Sequence, residues 1–329
     1  MARFFVIVLV LCAILAGAYI YEEVSFSAPG PAARGGAGET VVLIAPGERL
    51  MSIAAKLKSA GVIENDYLFA TAVRLRREGG ALKAGEYAIP SRASMQDIAD
   101  ILIAGTPIQH KVTIAEGLTS KMAYDAVRAD PVLTGDAGAV PPEGSLLPET
   151  YLFTRGTTRS ELLVRMHEAQ ERFLAQVWPS RSARAPFANP GQALILASIV
   201  EKETSIAEER RHIAAVFLNR LRLGMKLESD PTIIYGITGG YPLGRGIRES
   251  ELHGATAYNT YVIAGLPPTP ICNPGKDSIA AVLDPEDSSD LYFVANGTGG
   301  HTFTTSIAEH QKNVAHWRQI EHASPHGGH

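Results

Sequence analysis

The sequence predicts an α+β protein in three parts: an N-terminal transmembrane helix, a small α+β domain and a larger mixed α+β domain. Three observations lead there. Phe4 to Tyr21 (FFVIVLVLCAILAGAYIY) is an uncharged apolar run long enough to cross a bilayer as a helix. Residues 40–105 switch between strand-like and helix-like periodicity within a short span. The 329 residues exceed one average domain, and an apolar content of 46% suits globular cores rather than a disordered or collagenous chain. The expected boundaries are 1–3 as a cytoplasmic end, 4–21 as the membrane span, 22–38 as a flexible linker and 39–105 as the small domain. A connecting region, 106–155, then leads to the larger domain, 156–322, and a disordered tail, 323–329.

Arg3 precedes the apolar run, and Glu22 and Glu23 follow it. The positive-inside rule therefore puts the N-terminus in the cytoplasm and the body outside. Ala16-Gly17-Ala18 offers small residues where a signal peptidase could cut, but the run is longer than a usual signal core, which favours a retained anchor. The two cysteines, Cys12 in the apolar run and Cys272 far away, supply neither a disulfide framework nor a cysteine metal site. Cys12 follows Leu11 rather than the small residue a lipoprotein signal needs. A formal charge of −4 argues against a broad nucleic-acid-binding face.

After the span, SFSAPGPAARGGAGE (Ser25 to Glu39) has little to bury and reads as a flexible stalk. Val41 to Ile44 reads as a strand and Pro46-Gly47 as a turn. Leu50, Ile53, Ala54 and Leu57 recur at helical spacing, Leu68, Val73 and Leu75 less regularly, and Tyr87 to Ile89 returns as a strand. This strand, helix, helix, strand order, with PGERLMSIAAKL at its start and LKAGEYAIP at its end, resembles a LysM domain. The resemblance implies binding of N-acetylglucosamine-containing glycans; a small α+β domain without that role fits the pattern equally. Met95 to Ile103 reads as a helix stopping at Gly105, Ile108 to Ala115 as a strand, and Ser160 to Val177 as a helix.

Gln192 to Glu203 (QALILASIVEKE) is too apolar for a surface helix, so most of its circumference must be buried and its charged end must emerge at the rim of a core. Ser205 and Glu208 have capping-box spacing and predict a new helix from Ser205 to Gly224. Glu201 and Glu203 then share the last turn of the first helix. The negative end of the helix dipole and burial both favour the neutral form of a carboxyl placed there, which suits a general acid.

Residues two apart on a helix point about 200° away from each other, so Glu201 and Glu203 do not readily serve one bond together. That favours a mechanism with one glutamate over the paired carboxylates of most glycosidases. Glu201 stacks over Ala197 and Ser198, small residues that leave room for a substrate, whereas Glu203 stacks over Ile199. Glu201 is therefore the preferred catalytic residue. An EKE at a helix end is also a common solvated charge cluster.

ASIVEKET, VFLNRLRLGMKLESDPTIIYG, TAYNTYVIAGLPPTPICNPG and LYFVANGTGGHTF occur in this order between Ala197 and Phe303. Together they resemble the endolytic murein transglycosylases of the MltG (YceG-like) family. SLLPETYLF (Ser145 to Phe153) resembles that family's FPDTY-type segment, with Leu147 and Glu149 as departures. The resemblance implies a protein of the bacterial inner membrane with a catalytic domain at 156–322. It implies cleavage of the β-1,4 bond between N-acetylmuramic acid and N-acetylglucosamine inside peptidoglycan strands, leaving 1,6-anhydro-muramic ends. The family's essential glutamate, the first of the EKE motif, matches Glu201.

No cofactor or metal is implied. The implied partners are peptidoglycan glycan strands, the membrane, and peptidoglycan synthases of the elongation or division machinery. Asn219, Arg220, Asp230, Thr232, Tyr235, Tyr258, Asn259, Tyr261 and His301 are candidates for substrate contact. Each also has a structural reading, such as helix bracing for Asn219 and Arg220, a turn at Asp230, packing for Tyr258 and Tyr261, and a fold hydrogen bond for His301. Two other functions fit the same residues: a non-catalytic glycan-binding scaffold, and a hydrolase pairing Glu201 with a carboxylate such as Asp230. Cys272 lacks a nearby basic partner and is a poor nucleophile.

Overall fold

The computed structural model describes residues 1–323, and the chain forms two units. The first contains residues 1–110 and 152–157; the second contains 111–151 and continues from 158. The expected tail lies, from residue 324 onward, outside the described residues.

In the first unit, α1 (Ala2–Ser27) is long and apolar enough to cross a membrane. β1 (Glu39–Ile44), α2 (Leu50–Ser59), α3 (Asp66–Leu75) and β2 (Gly85–Pro90) follow in the order the periodicity predicts. β1 and β2 pair antiparallel along their whole length, from Glu39 opposite Pro90 to Ile44 opposite Gly85. One face of this ribbon, with Val42, Ile44, Tyr87 and Ile89, buries against Ile53 and Leu57 of α2 and Phe69 and Val73 of α3. α4 (Met95–Ala104) adds Ile98 and Leu102 to the same core, so the domain has a third helix beyond the βααβ unit.

The helix limits have local causes. Asn65 caps α3 by accepting from the Leu68 amide at 3.0 Å. Ser94 and Asp97 form a reciprocal capping box at the start of α4, and Gly105 ends it at φ 65°, where a side chain would be strained.

The structure differs from the stalk that composition suggests for 22–38. α1 continues to Ser27, and Phe26 is buried in the domain core beside Phe69. Arg76 binds Glu22 at 2.7 Å and Glu23 at 2.6 Å, and stacks over the Phe26 ring. The Gly30 amide donates to Arg92 O at 3.2 Å, and the Ala33 amide to Ser91 Oγ at 3.0 Å. Composition records little apolar content over 25–39 but not that its one phenylalanine is a core residue.

β3 (His110–Thr113) carries the chain into the second unit. There α5 (Ser120–Ala129) precedes β4 (Thr150–Phe153), which returns it briefly to the first. α6 (Arg159–Val177) opens with a Thr158–Glu161 capping box. α7 (Pro190–Glu203) is the central helix, packed on α8 (Arg210–Arg222) and α11 (Lys276–Leu283). Between these last two run α9 (Asp230–Thr238) and the single turn α10 (Glu249–Leu252).

The hairpin β5 (Tyr292–Ala295) and β6 (His301–Thr304) packs on α8 and on α12 (Ile307–Ala323). Its Phe293 ring meets Phe217 of α8 edge-on at 5.7 Å. The core of this unit centres on Leu196, Ala197, Ile199, Val200, Ile213, Phe217, Ile279 and Val282. Both units mix helices with a little sheet, as the α+β class requires.

The start of α8 is a correction. Ser205 and Glu208 make no capping box; a short 3-10 turn at Ala207–Glu209 leads into α8 at Arg210, without a side-chain cap. The helix ends where expected, with Gly224 at φ 68°.

Because the Ser94–Asp97 box supplies two amides of α4 with partners, Ser94→Ala should lower the unfolding free energy by about 1 kcal/mol. Chemical denaturation of the detergent-solubilised chain would show this as a lower midpoint with an unchanged slope.

Candidate functional site

α7 begins with Asn189 accepting from the Gln192 amide at 3.0 Å and with Pro190 in the first turn. Every residue from Ala193 to Val200 except Ile195 is buried, which explains its unbroken apolar character. Its last turn carries Glu201 and Glu203 to separate surroundings, as the helical phase requires.

The Glu201 side chain is only 7% exposed. Its Oε2 accepts from the Gly275 amide at 2.9 Å, and its Oε1 stands 4.0 Å from Nη2 of Arg210. The same Nη2 is 4.0 Å from Glu116 Oε2, and Nη1 is 3.5 Å from Asp277 Oδ2. Burial, followed by the charge of Glu201, pushes the Glu116 carboxyl above its ordinary range, while Arg210 opposes the shift.

The loop that delivers the Gly275 amide is anchored to α7. Ser198 Oγ accepts from the Ile271 amide at 3.0 Å, and the fully buried Asn273 side chain binds Leu118 O, Ser120 Oγ and the Leu146 amide. The Gly117 amide donates to Asn273 O at 3.0 Å. These bonds fix Glu116, Glu201 and Gly275 in one frame. A Cβ on Gly275 would lie 2.0 Å from Glu116 Oε1, so any larger residue there would push the Glu116 side chain aside.

Glu203 faces another way. It accepts from Ser229 Oγ, and burial pushes its carboxyl up to about 7, with the Asp230 charge adding to the shift and the Ser229 bond opposing it. It lines a cavity of about 450 Å³ with Arg220, Glu228, Asp230, Tyr261 and His310. Tyr261 OH donates to Asp230 Oδ1 at 2.7 Å. Asp230 acts on the Glu203 carboxyl, while Glu116 and Asp277 are the carboxylates that share an arginine with Glu201.

Several of the other sequence-derived candidates brace the fold. Asn219 Nδ2 donates to Ser288 O and Asp290 O; Arg220 donates to Leu291 O, Lys226 O, Leu227 O and Glu228. Thr232 is buried and bonded to Ser229 O and Thr260 Oγ1. Asn259 donates to Glu251 O, Leu252 O and Gly254 O. His301 Nδ1 meets Glu209 Oε2 at 2.6 Å, the fold hydrogen bond already expected as one reading.

Tyr235 donates to Glu143 Oε2 at 3.1 Å, packs edge-on against Tyr258, and has its phenol pushed up by burial and Glu143. Tyr258 pairs with Thr269. Asp230, which is exposed, and Tyr261, which is partly so, keep access to solvent. Cys272 is buried and its thiol pushed well up by desolvation, which leaves it a weak nucleophile. Among the described residues no group of three or more His, Cys, Asp or Glu is arranged to hold a metal ion.

Glu116, Arg210, Asn273 and Gly275 escaped the sequence reading. NPG follows Cys272 and Glu116-Gly117 follows a strand, so both segments carried a turn signal but nothing that linked them to Glu201.

An α+β body with one nearly buried glutamate at the end of a core helix, set against an arginine and a backbone amide, defines a protein with a carboxylate-based site. The chain matches the YceG-like family over residues 42–316 and belongs to that family. It is 27% identical to the endolytic murein transglycosylase of Bacillus subtilis (strain 168) over 330 residues, 91% of this chain and 89% of that protein. The endolytic murein transglycosylase of Streptococcus pneumoniae serotype 2 (strain D39 / NCTC 7466) is 28% identical, over 83% of this chain and 57% of its own longer one. The crystal structure of a YceG-like protein from Listeria monocytogenes superposes with a TM-score of 0.52 at 29% identity, covering 83% of this chain and 98% of that one.

Glu203 also makes the fold pH-dependent. The native state keeps its proton up to about 7, while an unfolded glutamate releases it near 4.5, so stability present below 4.5 is lost as pH rises through about 7. Glu203→Gln should flatten that window, removing a slope worth roughly 3 kcal/mol at most, as read from denaturation midpoints between those pH values.

Proposed function

We propose that this chain is an endolytic lytic transglycosylase of peptidoglycan, cleaving the N-acetylmuramic acid–β-1,4–N-acetylglucosamine bond within nascent strands and leaving 1,6-anhydro-muramic ends. The observation that carries the reading is the placement of Glu201, in a chain whose relatives from Bacillus and Streptococcus are named for this activity.

Glu201 acts first as acid. Its carboxyl proton passes to the glycosidic oxygen as the bond to muramic C1 breaks, and positive charge develops on the sugar. It then acts as base. The muramic C6 oxygen bonds to C1 and its proton passes to the Glu201 carboxylate, while the first proton stays on the leaving hydroxyl, so protons balance without water or a second carboxylate. The Gly275 amide and the Arg210 guanidinium support the carboxylate between the two transfers.

The glycan strand is bound through Asp230, Tyr261 and the tyrosines Tyr235 and Tyr258 of the second unit; the first unit has a LysM-like glycan-binding role of its own. α1 anchors the body outside the inner membrane with the N-terminus in the cytoplasm, at the place where peptidoglycan synthases of the elongation or division machinery release new strands.

Glu201→Gln should lower cleavage of purified peptidoglycan by about 10²–10⁴-fold, the usual contribution of a general acid–base group, with little change in binding. Mass spectrometry of the digests should find anhydro-muramic ends with the wild type. Reducing ends would mark a hydrolase, and retained binding without cut strands a scaffold.

A further inference from the structure

Arg210, the first residue of α8, is nine-tenths buried, yet none of its charged neighbours closes a tight fork on it. Its Nη2 stands 4.0 Å from both Glu116 and Glu201, its Nη1 3.5 Å from Asp277, and its buried Nε has no hydrogen-bond partner. A guanidinium held this way, between two carboxyls and in full contact with neither, can follow the charge as it moves from one to the other.

We propose that Arg210 and Glu116 are positioning residues for Glu201: the guanidinium holds the two carboxyls as one pair, and the charge on Glu116 sets the pH range over which Glu201 delivers its proton. This rests on the transglycosylase reading above.

Three carboxylates face one arginine, and one cation offsets only one anion, so a proton stays within the group more readily than on an isolated glutamate. Asp277 is the most exposed of the three at 75%; of the two carboxyls that share Nη2, Glu116 is the more open to solvent, with its side chain 44% exposed against 7% for Glu201. The charged groups around it are Glu201 and Lys202 from α7, Arg210 from α8, Asp277 and Lys276 from α11, and Glu149 before β4. Lys276 is bound to Glu149 at 2.6 Å.

The placement is fixed by the fold rather than by side-chain freedom. Gly117 hangs on Asn273 O, and Gly275, the donor to Glu201, packs against the Glu116 carboxyl. The charge on Glu201 favours the protonated form of Glu116, and an interaction between two such groups acts on both. After Glu201 gives its proton to the leaving oxygen, Arg210 stabilises the new anion, and the Glu116 charge promotes recovery of a proton from the C6 hydroxyl.

Initial rates of peptidoglycan cleavage by the full-length chain in detergent, followed across pH, test this. Glu116→Gln should move the alkaline limb of kcat/KM to lower pH by about 0.5–1 unit, and Glu116→Asp should restore it. Glu116→Ala removes the same charge by another route and should give the same shift where the glutamine variant folds poorly. Arg210→Lys should lower kcat by about tenfold with a smaller effect on KM. A limb that stays at the wild-type position in both charge-removing variants, whatever their rates, overturns the inference. Absence of cleavage by the wild type, or undiminished cleavage by Glu201→Gln, overturns the functional reading and the inference with it.

Discussion

The site depends on α7, a helix so nearly enclosed by its own core that its last turn has no freedom to choose where its charges go. Carboxyls forced to the rim of an apolar core must each find a hydrogen-bond donor or hold a proton. Glu203 finds Ser229 and remains in an environment that favours its neutral form; Glu201 finds the Gly275 amide and stands beside Arg210. The two glutamates of one short motif thus become chemically different groups through the direction in which the helix points them.

Everything that frames Glu201 is tied back to the same helix. Ser198, one turn earlier, receives the Ile271 amide, and the chain from Ile271 to Gly275 runs from there to the carboxyl. Asn273, in the middle of that stretch, uses its side chain and its carbonyl to hold the strand-to-helix loop that presents Glu116. A few hydrogen bonds therefore join segments far apart in sequence. A shift of α7 would be felt by Glu116 although the two do not share an element.

Much of this was legible in the sequence because its causes are local. The βααβ order of residues 40–90, the stops at Gly105 and Gly224, the buried character of α7 and the divergence of Glu201 from Glu203 follow from periodicity, glycine and helical geometry. What was not legible depends on tertiary partners. Ser205 and Glu208 have capping-box spacing, but a 3-10 turn intervenes. Phe26 sits in a stretch with little else to bury and still enters the core. Asn219, Arg220 and Asn259 carry hydrogen-bonding groups suited to a substrate, yet they serve backbone carbonyls of nearby loops. Arg210 lies close to Glu201 in sequence but Glu116 and Gly275 lie far from it on either side, and no spacing rule connects Glu116 or Gly275 to it.

The central claim is that one glutamate gives a proton to the leaving oxygen and takes another from the C6 hydroxyl, and that water takes no part in closing the sugar. Digestion of peptidoglycan by the full-length chain in water enriched in ¹⁸O reads this directly. The account predicts new muramic ends in the anhydro form without ¹⁸O. Incorporation of ¹⁸O at the muramic C1 of the freshly cut ends would contradict it.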